Sequence, residues 1–328
     1  MQSRKTSADL WHQKPYYSLD AWCKNTYGRK LYKAALDIGC TCPNRDGTLD
    51  TRGCIFCSAG GSGDFAASRQ LSVTDQLNQA KALLSSKWTP EPGKPSLIAY
   101  FQAYTNTYGD PDRLLSCYEE ALSSPEVAGI SIATRPDCLS DIILEGLDRL
   151  RLLYPDRFIW IELGLQSIHD HTAARIRRGY PTSVFYDAAA KLHARRLPFI
   201  VHLILGLPGE TRLDLLESIR AVNQVHPFGV KLQLLHILKG TDLALLYESG
   251  KLPVLTQEEY LDLLTSCIAA LSPDICLHRG TGDGPRKLLI APQWSLSKRN
   301  VLNGLHALMK QRNLRQGDNY EPGTSYTL

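Results

Sequence analysis

Long apolar runs are missing from this chain of 328 residues. None approaches the roughly 18 residues that a membrane span requires, so no helical membrane anchor is expected. Met1–Leu10 carries Gln2, Ser3, Arg4, Lys5, Thr6 and Ser7 and no apolar stretch, so no secretory leader is expected either. The compartment that follows is the reducing cytoplasm, where disulfides are disfavoured and cysteine serves metals or catalysis. Internal repeats and low-complexity blocks are also lacking. With 43% apolar residues, the length fits one large α/β barrel or two ordinary domains. Acid is absent between Asp283 and Asp318, where Arg286, Lys287, Lys298, Arg299, Lys310, Arg312 and Arg315 all fall. A second basic cluster comprises Arg175, Arg177 and Arg178, followed by Lys191, Arg195 and Arg196. Local basic excess is the footprint of a polyanion partner, and a solvated helix face is the alternative.

The cysteines that are present concentrate on one segment. Cys54-Ile55-Phe56-Cys57 follows Cys42 with eleven residues between Cys42 and Cys54. Three thiolates around a 4Fe–4S cube leave one iron without a protein ligand, and that iron can bind a small molecule. Cys40 lies two residues before Cys42, so a four-thiolate zinc site is the competing reading. Its first pair would be Cys-x-Cys instead of the usual Cys-x₂-Cys. Cys23, Cys117, Cys138, Cys267 and Cys276 are scattered singly and read as small buried hydrophobes.

Along the chain, strand and helix alternate about six times. The strand candidates are Leu31–Ile38, Ser96–Gln102, Gly129–Ala133, Phe158–Leu165, Phe199–Leu205 and Val230–Ile237, apolar runs suited to burial on both faces. Helical patterns cover Val73–Lys87, Asp112–Ser123, Ser140–Leu153, Thr182–Arg196, Thr211–Gln224 and Thr256–Leu271, with Thr74 and Thr211 as candidate N-caps. Such alternation indicates parallel pairing, either in a partly closed barrel or in an open doubly wound sheet. After Ile237 the alternation fades, and Gln316–Leu328 reads as a loose tail. Functional groups of parallel α/β folds sit at the carboxyl ends of strands. There the chain places the cysteine loop, Gln102, Tyr104, Arg135, Glu162, Gln166 and His236, with His202 within the fifth strand and Gly206 just after it. A zinc ribbon would not predict this distribution.

These residues resemble the radical S-adenosylmethionine (SAM) enzymes, in the YtqA/YhcC-type group related to the catalytic subunit of elongator. The resemblance runs from Tyr16 to about Arg299 and rests on separated motifs: Gly28-Arg29-Lys30-Leu31-Tyr32-Lys33, Cys42-Pro43-Asn44-Arg45-Asp46-Gly47, Gly53-Cys54-Ile55-Phe56-Cys57, Thr134-Arg135-Pro136-Asp137, Glu162-Leu163-Gly164-Leu165-Gln166-Ser167, Arg178-Gly179-Tyr180 and His202-Leu203-Ile204-Leu205-Gly206-Leu207-Pro208-Gly209-Glu210. It implies a partial (β/α)6 TIM-like barrel over residues 31–240, with the cluster loop at 40–57, an extension before it over 1–30 and a helical, basic extension over 241–315. It also implies a 4Fe–4S cluster on Cys42, Cys54 and Cys57, and SAM cleaved reductively to a 5′-deoxyadenosyl radical. Gln166 and Arg178 would lie near the ribose and carboxylate of SAM, Glu162 at SAM or in a salt bridge to Arg135, and Gly206 near the adenine. His202 would be a catalytic or a core histidine. The Gly-Gly-Glu-like segment of many relatives is replaced by Tyr100-Phe101-Gln102-Ala103-Tyr104, so Gln102 or Tyr104 would hold the amino group of SAM. The elongator relationship implies tRNA as partner, chemistry at C5 of the wobble uridine, and an electron donor such as flavodoxin or ferredoxin. A radical enzyme acting on a small molecule or protein, and a zinc-stabilised RNA-binding protein, are the rival readings.

Overall fold

A computed structural model describes residues 10–84, 93–282 and 284–322. In chain order the first elements are α1 (Leu19–Tyr27), β1 (Tyr32–Leu36), α2 (Val73–Leu84), β2 (Leu97–Phe101), α3 (Pro111–Ser123), β3 (Val127–Thr134) and α4 (Asp141–Leu153). Next come β4 (Phe158–Gln166), α5 (Asp170–Arg175), α6 (Thr182–Ala194), β5 (Phe199–Leu205), α7 (Arg212–Val225), β6 (Gly229–Leu234) and β7 (Ile237–Leu238). The last are α8 (Asp242–Glu248), α9 (Gln257–Ala270), β8 (Cys276–Arg279), β9 (Leu289–Ala291) and α10 (Lys298–Gln311). Seven strands form one sheet in the order β1-β2-β3-β4-β5-β6-β8, an open run with two edges. The expected α/β sheet is therefore present, with one strand more than six. The seventh, β8, comes from the stretch where the alternation had faded, and it pairs in parallel with β6 through Gly229↔Cys276 and Val230↔Leu277.

The chain divides into two compact units, residues 29–164 with 183–199, and residues 1–28 with 165–182 and 200–328. In the first, β1 to β4 pair in parallel, Leu36↔Phe101 and Ala133↔Glu162 marking the register. All five residues of β2 are buried, as a strand covered on both faces requires. α3 starts on the Asp110 cap with Pro111 in its first turn, and α4 on the Ser140 cap. α2 corrects one expectation. Its first turn is capped by Ser72, whose Oγ accepts from the Asp75 amide at 3.0 Å, while Thr74 hydrogen-bonds outward to Glu120. The expected continuation of this helix to Lys87 lies outside the described residues.

In the second unit, β5, β6 and β8 pair in parallel. α7 begins on the N-cap expected from Thr211, which Asp214 closes into a capping box, and Thr256 with Glu259 forms the same device on α9. α10 buries Val301, Leu305 and Met309 and exposes Arg299 and Lys310. The tail is tied down further than expected. Gln316 is buried, and its Nε2 donates to the carbonyls of Ser272 (2.7 Å) and Ile275 (2.8 Å). The remainder of that segment, residues 323–328, lies outside the described residues. Among the described residues, no helix is long and apolar enough to cross a membrane.

Candidate cluster site

The loop after β1 carries Cys42, Cys54 and Cys57, and its course is set by local chemistry. The amides of Arg45 and Asp46 return to the Cys42 carbonyl at 2.7 and 3.2 Å, and the Cys57 amide to the Cys54 carbonyl at 3.0 Å. Gly53 bridges the two halves in the left-handed region (φ 75°), its amide donating to the Asn44 carbonyl at 2.7 Å. A Cβ there would stand 2.8 Å from Arg45 Nε, so glycine is what lets the Arg45 guanidinium lie across the loop. Arg45 Nη2 then donates to the carbonyls of Cys57 (2.7 Å) and Ser58 (2.8 Å).

Burial, aided by charge on Cys57 and Cys42 and opposed by Arg135 and the Asn44 hydrogen bond, pushes the Cys54 thiol up to about 12. The Cys57 thiol is also raised by burial, with Arg45 opposing. The three sulfurs therefore feel one another. Cys40 does not share that neighbourhood. Burial raises it to about 12, and its charged neighbours are Arg113, Asp37, Cys117 and Arg69.

Thiolates on a tetrahedral zinc at ~2.3 Å would lie about 3.8 Å apart. Among the described residues, the three metal-type donors within 4.8 Å of one another are His169, Asp214 and Glu217, and no cysteine trio forms such a set. His169 is itself hydrogen-bonded to the Asp214 carbonyl at 3.0 Å, in the first turn of α7. A soft, three-thiolate donor set with wider spacing fits the 4Fe–4S cluster that the resemblance implies, and Cys42, Cys54 and Cys57 would hold it.

The expected SAM-binding residues fall into two groups. In the unit with the cysteines, Gln102 and Tyr104 bind protein. Gln102 Nε2 donates to the Ser62 carbonyl at 2.7 Å, and the Tyr104 hydroxyl donates to the Ala59 carbonyl. Tyr104 sits at φ 61°, and a Cβ on Gly61 would stand 2.3 Å from its ring. Both residues pin the segment after Cys57 to the end of β2. Glu162 is fully buried, accepting from Lys33 Nζ (2.8 Å) and Ser131 Oγ (2.6 Å). The expected alternative of an Arg135–Glu162 bridge gives way to Lys33–Glu162, because Arg135 forms a bidentate pair with Asp137 at 2.9 and 2.7 Å. Lys33, which also lies 4.4 Å over the Tyr100 ring, and Ser131 were missed in the sequence. A lysine in an otherwise apolar strand was the signal.

In the other unit, Gln166 ends β4 at φ 63°, with the Ser167 amide donating to the Leu165 carbonyl at 2.8 Å. That is a γ-turn of the strained, positive-φ kind. Arg178 is 1% exposed and is spent on holding this turn. Nη1 donates to the carbonyls of Leu165 (2.8 Å) and Ser167 (2.7 Å), Nε and Nη2 to the Tyr180 carbonyl, and Nη2 to Thr182 Oγ1. All five of its N–H groups have acceptors within the protein. His202 is half-buried on β5, in register with Lys231 of β6, which is 2% exposed. Gly206 takes φ 88° after β5, where a Cβ would come within 3.0 Å of Leu255.

The basic clusters also resolve. Arg177 pairs with Asp242, Arg178 with Asp170, Lys191 with Asp141 and Arg195 with Asp148, so four of the six cations in that cluster meet a carboxylate. In the C-terminal segment Arg312 pairs with Asp262, which Arg212 also meets.

The family model of the radical SAM superfamily matches residues 42–222, and that of the radical SAM C-terminal domain matches residues 227–311. YtqA of Bacillus subtilis is 40% identical over 93% of this chain and 92% of its own length. YhcC of Escherichia coli is 36% identical over 82% of this chain and 84% of its own. Among solved structures, an archaeal Elp3 from Methanocaldococcus infernus, deleted at its N-terminus, superposes with a TM-score of 0.64 at 16% identity. The superposition covers 87% of this chain and 64% of that longer one, and shows a shared fold.

Proposed function

Since this chain belongs to the radical SAM superfamily, with a 4Fe–4S cluster and SAM as its cofactors, we propose that it acts on tRNA at the C5 side chain of the wobble uridine. The reaction is the remodelling of a carboxymethylaminomethyl group towards aminomethyl. The observation that carries this reading is the shared fold with Elp3 over 87% of the chain, taken with the resemblance of its motifs to the elongator branch. Held by Cys42, Cys54 and Cys57, the cluster would supply the electron for reductive cleavage of SAM. The protein's part is to hold and shield. Gln102 and Tyr104 fix the loop segment after Cys57, and Arg178 fixes the strand end that carries Gln166.

Exposed Arg299 and Lys310 on α10 would meet phosphates, and such contacts weaken steeply with salt. A flavodoxin or ferredoxin is the proposed electron donor, and the cytoplasm the proposed compartment. Comparison of nucleosides in bulk tRNA from cells with and without the gene tests the substrate. Loss of an aminomethyl-type wobble uridine with accumulation of its carboxymethylaminomethyl precursor is expected. An unchanged profile, with the purified protein still cleaving SAM, removes the tRNA substrate and leaves the family untouched.

A further inference from the structure

A nitrogen donor is aimed at two of the three thiols, and a guanidinium lies beside the third. Asn44, 1% exposed, points Nδ2 at Cys54 Sγ from 3.6 Å. Arg45 lies along Cys57, clasping its carbonyl and that of Ser58 at 2.7 and 2.8 Å. Arg135, 8% exposed on the loop after β3, turns Nη1 towards Cys42 Sγ at 4.0 Å. The same guanidinium gives Nε and Nη2 to the Asp137 carboxylate, at 2.9 and 2.7 Å. Two of the three donors are cationic, and one of those cations carries its own counter-charge.

Reduction adds negative charge to a cluster held in a desolvated pocket, and the potential follows net charge and hydrogen bonds to the sulfurs. We propose that Asn44, Arg45 and Arg135 raise the reduction potential of the cluster, and that Asp137 works against Arg135 as a built-in brake. All four are tuning residues, acting through the thiolates. The arrangement gives the two members of one ion pair opposite signs. Removing Arg135 withdraws positive charge from Cys42, whereas removing the Asp137 charge leaves the guanidinium uncompensated. A residue pair that merely shaped the loop would not separate in this way.

The test is an anaerobic redox titration of the reconstituted full-length protein, followed by electron paramagnetic resonance, with iron counted per chain. Arg135→Gln and Asn44→Ala are expected to move the midpoint to more negative potential, and Asp137→Asn to more positive. Each shift is on the order of tenfold in the reduced-to-oxidised ratio at fixed poise, ~59 mV for one electron. Arg135→Lys, which keeps the charge, is expected to stay nearer to wild type than Arg135→Gln. Unchanged midpoints, or Arg135→Gln and Asp137→Asn shifting in the same direction, overturn the proposal. So does loss of iron in both Asp137→Asn and Arg135→Lys, because that is the signature of a loop-holding pair.

Discussion

Replacing Arg178 by methionine isolates what a buried guanidinium contributes to the end of β4. The side chain is 1% exposed, so its loss uncovers little to water. It does remove the N–H donors that the carbonyls of Leu165, Ser167 and Tyr180 receive at 2.7 to 3.1 Å. A hydrogen bond to a charged group contributes ~1.5–3 kcal/mol, so three at the low end give about 4 to 5 kcal/mol. That agrees with the ~3–5 kcal/mol seen when a buried charged contact is broken. Asp170 adds little, being largely exposed and 3.4 Å away. Arg178→Lys keeps the charge but loses the planar fork, and roughly half the loss should remain. Urea denaturation gives the total, and hydrogen exchange at the Ser167 amide, which closes the γ-turn, gives the local part. The strained Gln166 should relax in both variants, and SAM cleavage should fall with turn opening, Arg178→Met below Arg178→Lys. A loss under about 1 kcal/mol in Arg178→Met would place it among ordinary surface substitutions and refute the holding role.

Two further outcomes follow from buried charge. Lys33→Met leaves the fully buried Glu162 carboxylate without its ammonium, and should lower stability by about 3 kcal/mol. The double variant Lys33→Met/Glu162→Gln should regain more than half of that by denaturant titration, and a double variant no better than the single would contradict the pairing. His306, within 3.0 Å of the Tyr16 hydroxyl, has its pKa lowered from 6.5 by burial and then by Lys14. The unfolded chain therefore takes up this proton first. The stability tied to His306 is full above pH 6.5 and is lost as pH falls from there through the folded value. Thermal melts between pH 8 and pH 5 should decline less steeply in His306→Gln, and parallel curves would count against it.

The strands were legible because their residues announce burial on both faces, and Phe199–Leu205 matches the observed strand end to end. β8 was not legible. It is four residues long and mixes cysteine, leucine, histidine and arginine, and pairing with β6, together with a bridge from Ser18 to Leu277, makes it a strand. The cysteine loop could be read from spacing alone, yet spacing could not separate Cys40 from Cys42. The resemblance does so, through the Pro43-Asn44-Arg45-Asp46-Gly47 continuation after Cys42, and in the fold Cys40 lies among Asp37, Arg113 and Cys117 instead. The run Arg175-Ile176-Arg177-Arg178 shows the limit most clearly. In the chain it is one basic cluster. In the fold Arg175 is exposed and reaches the Pro208 carbonyl, Arg177 meets Asp242, and Arg178 is swallowed by a turn whose shape no local propensity specifies. Likewise Arg135 and Asp137 stand two apart in the motif, but that one guanidinium serves both a carboxylate and a thiol depends on where β3 ends.

Iron and sulfide counted per chain after anaerobic reconstitution, in the wild type and in Cys40→Ala and Cys42→Ala, bears most directly on the three-thiolate site. About four irons are expected in the wild type and in Cys40→Ala. Cys42→Ala should lose the cluster and the ability to cleave SAM. A colourless protein holding one zinc, or a Cys40→Ala variant that fails while Cys42→Ala loads normally, would contradict the account.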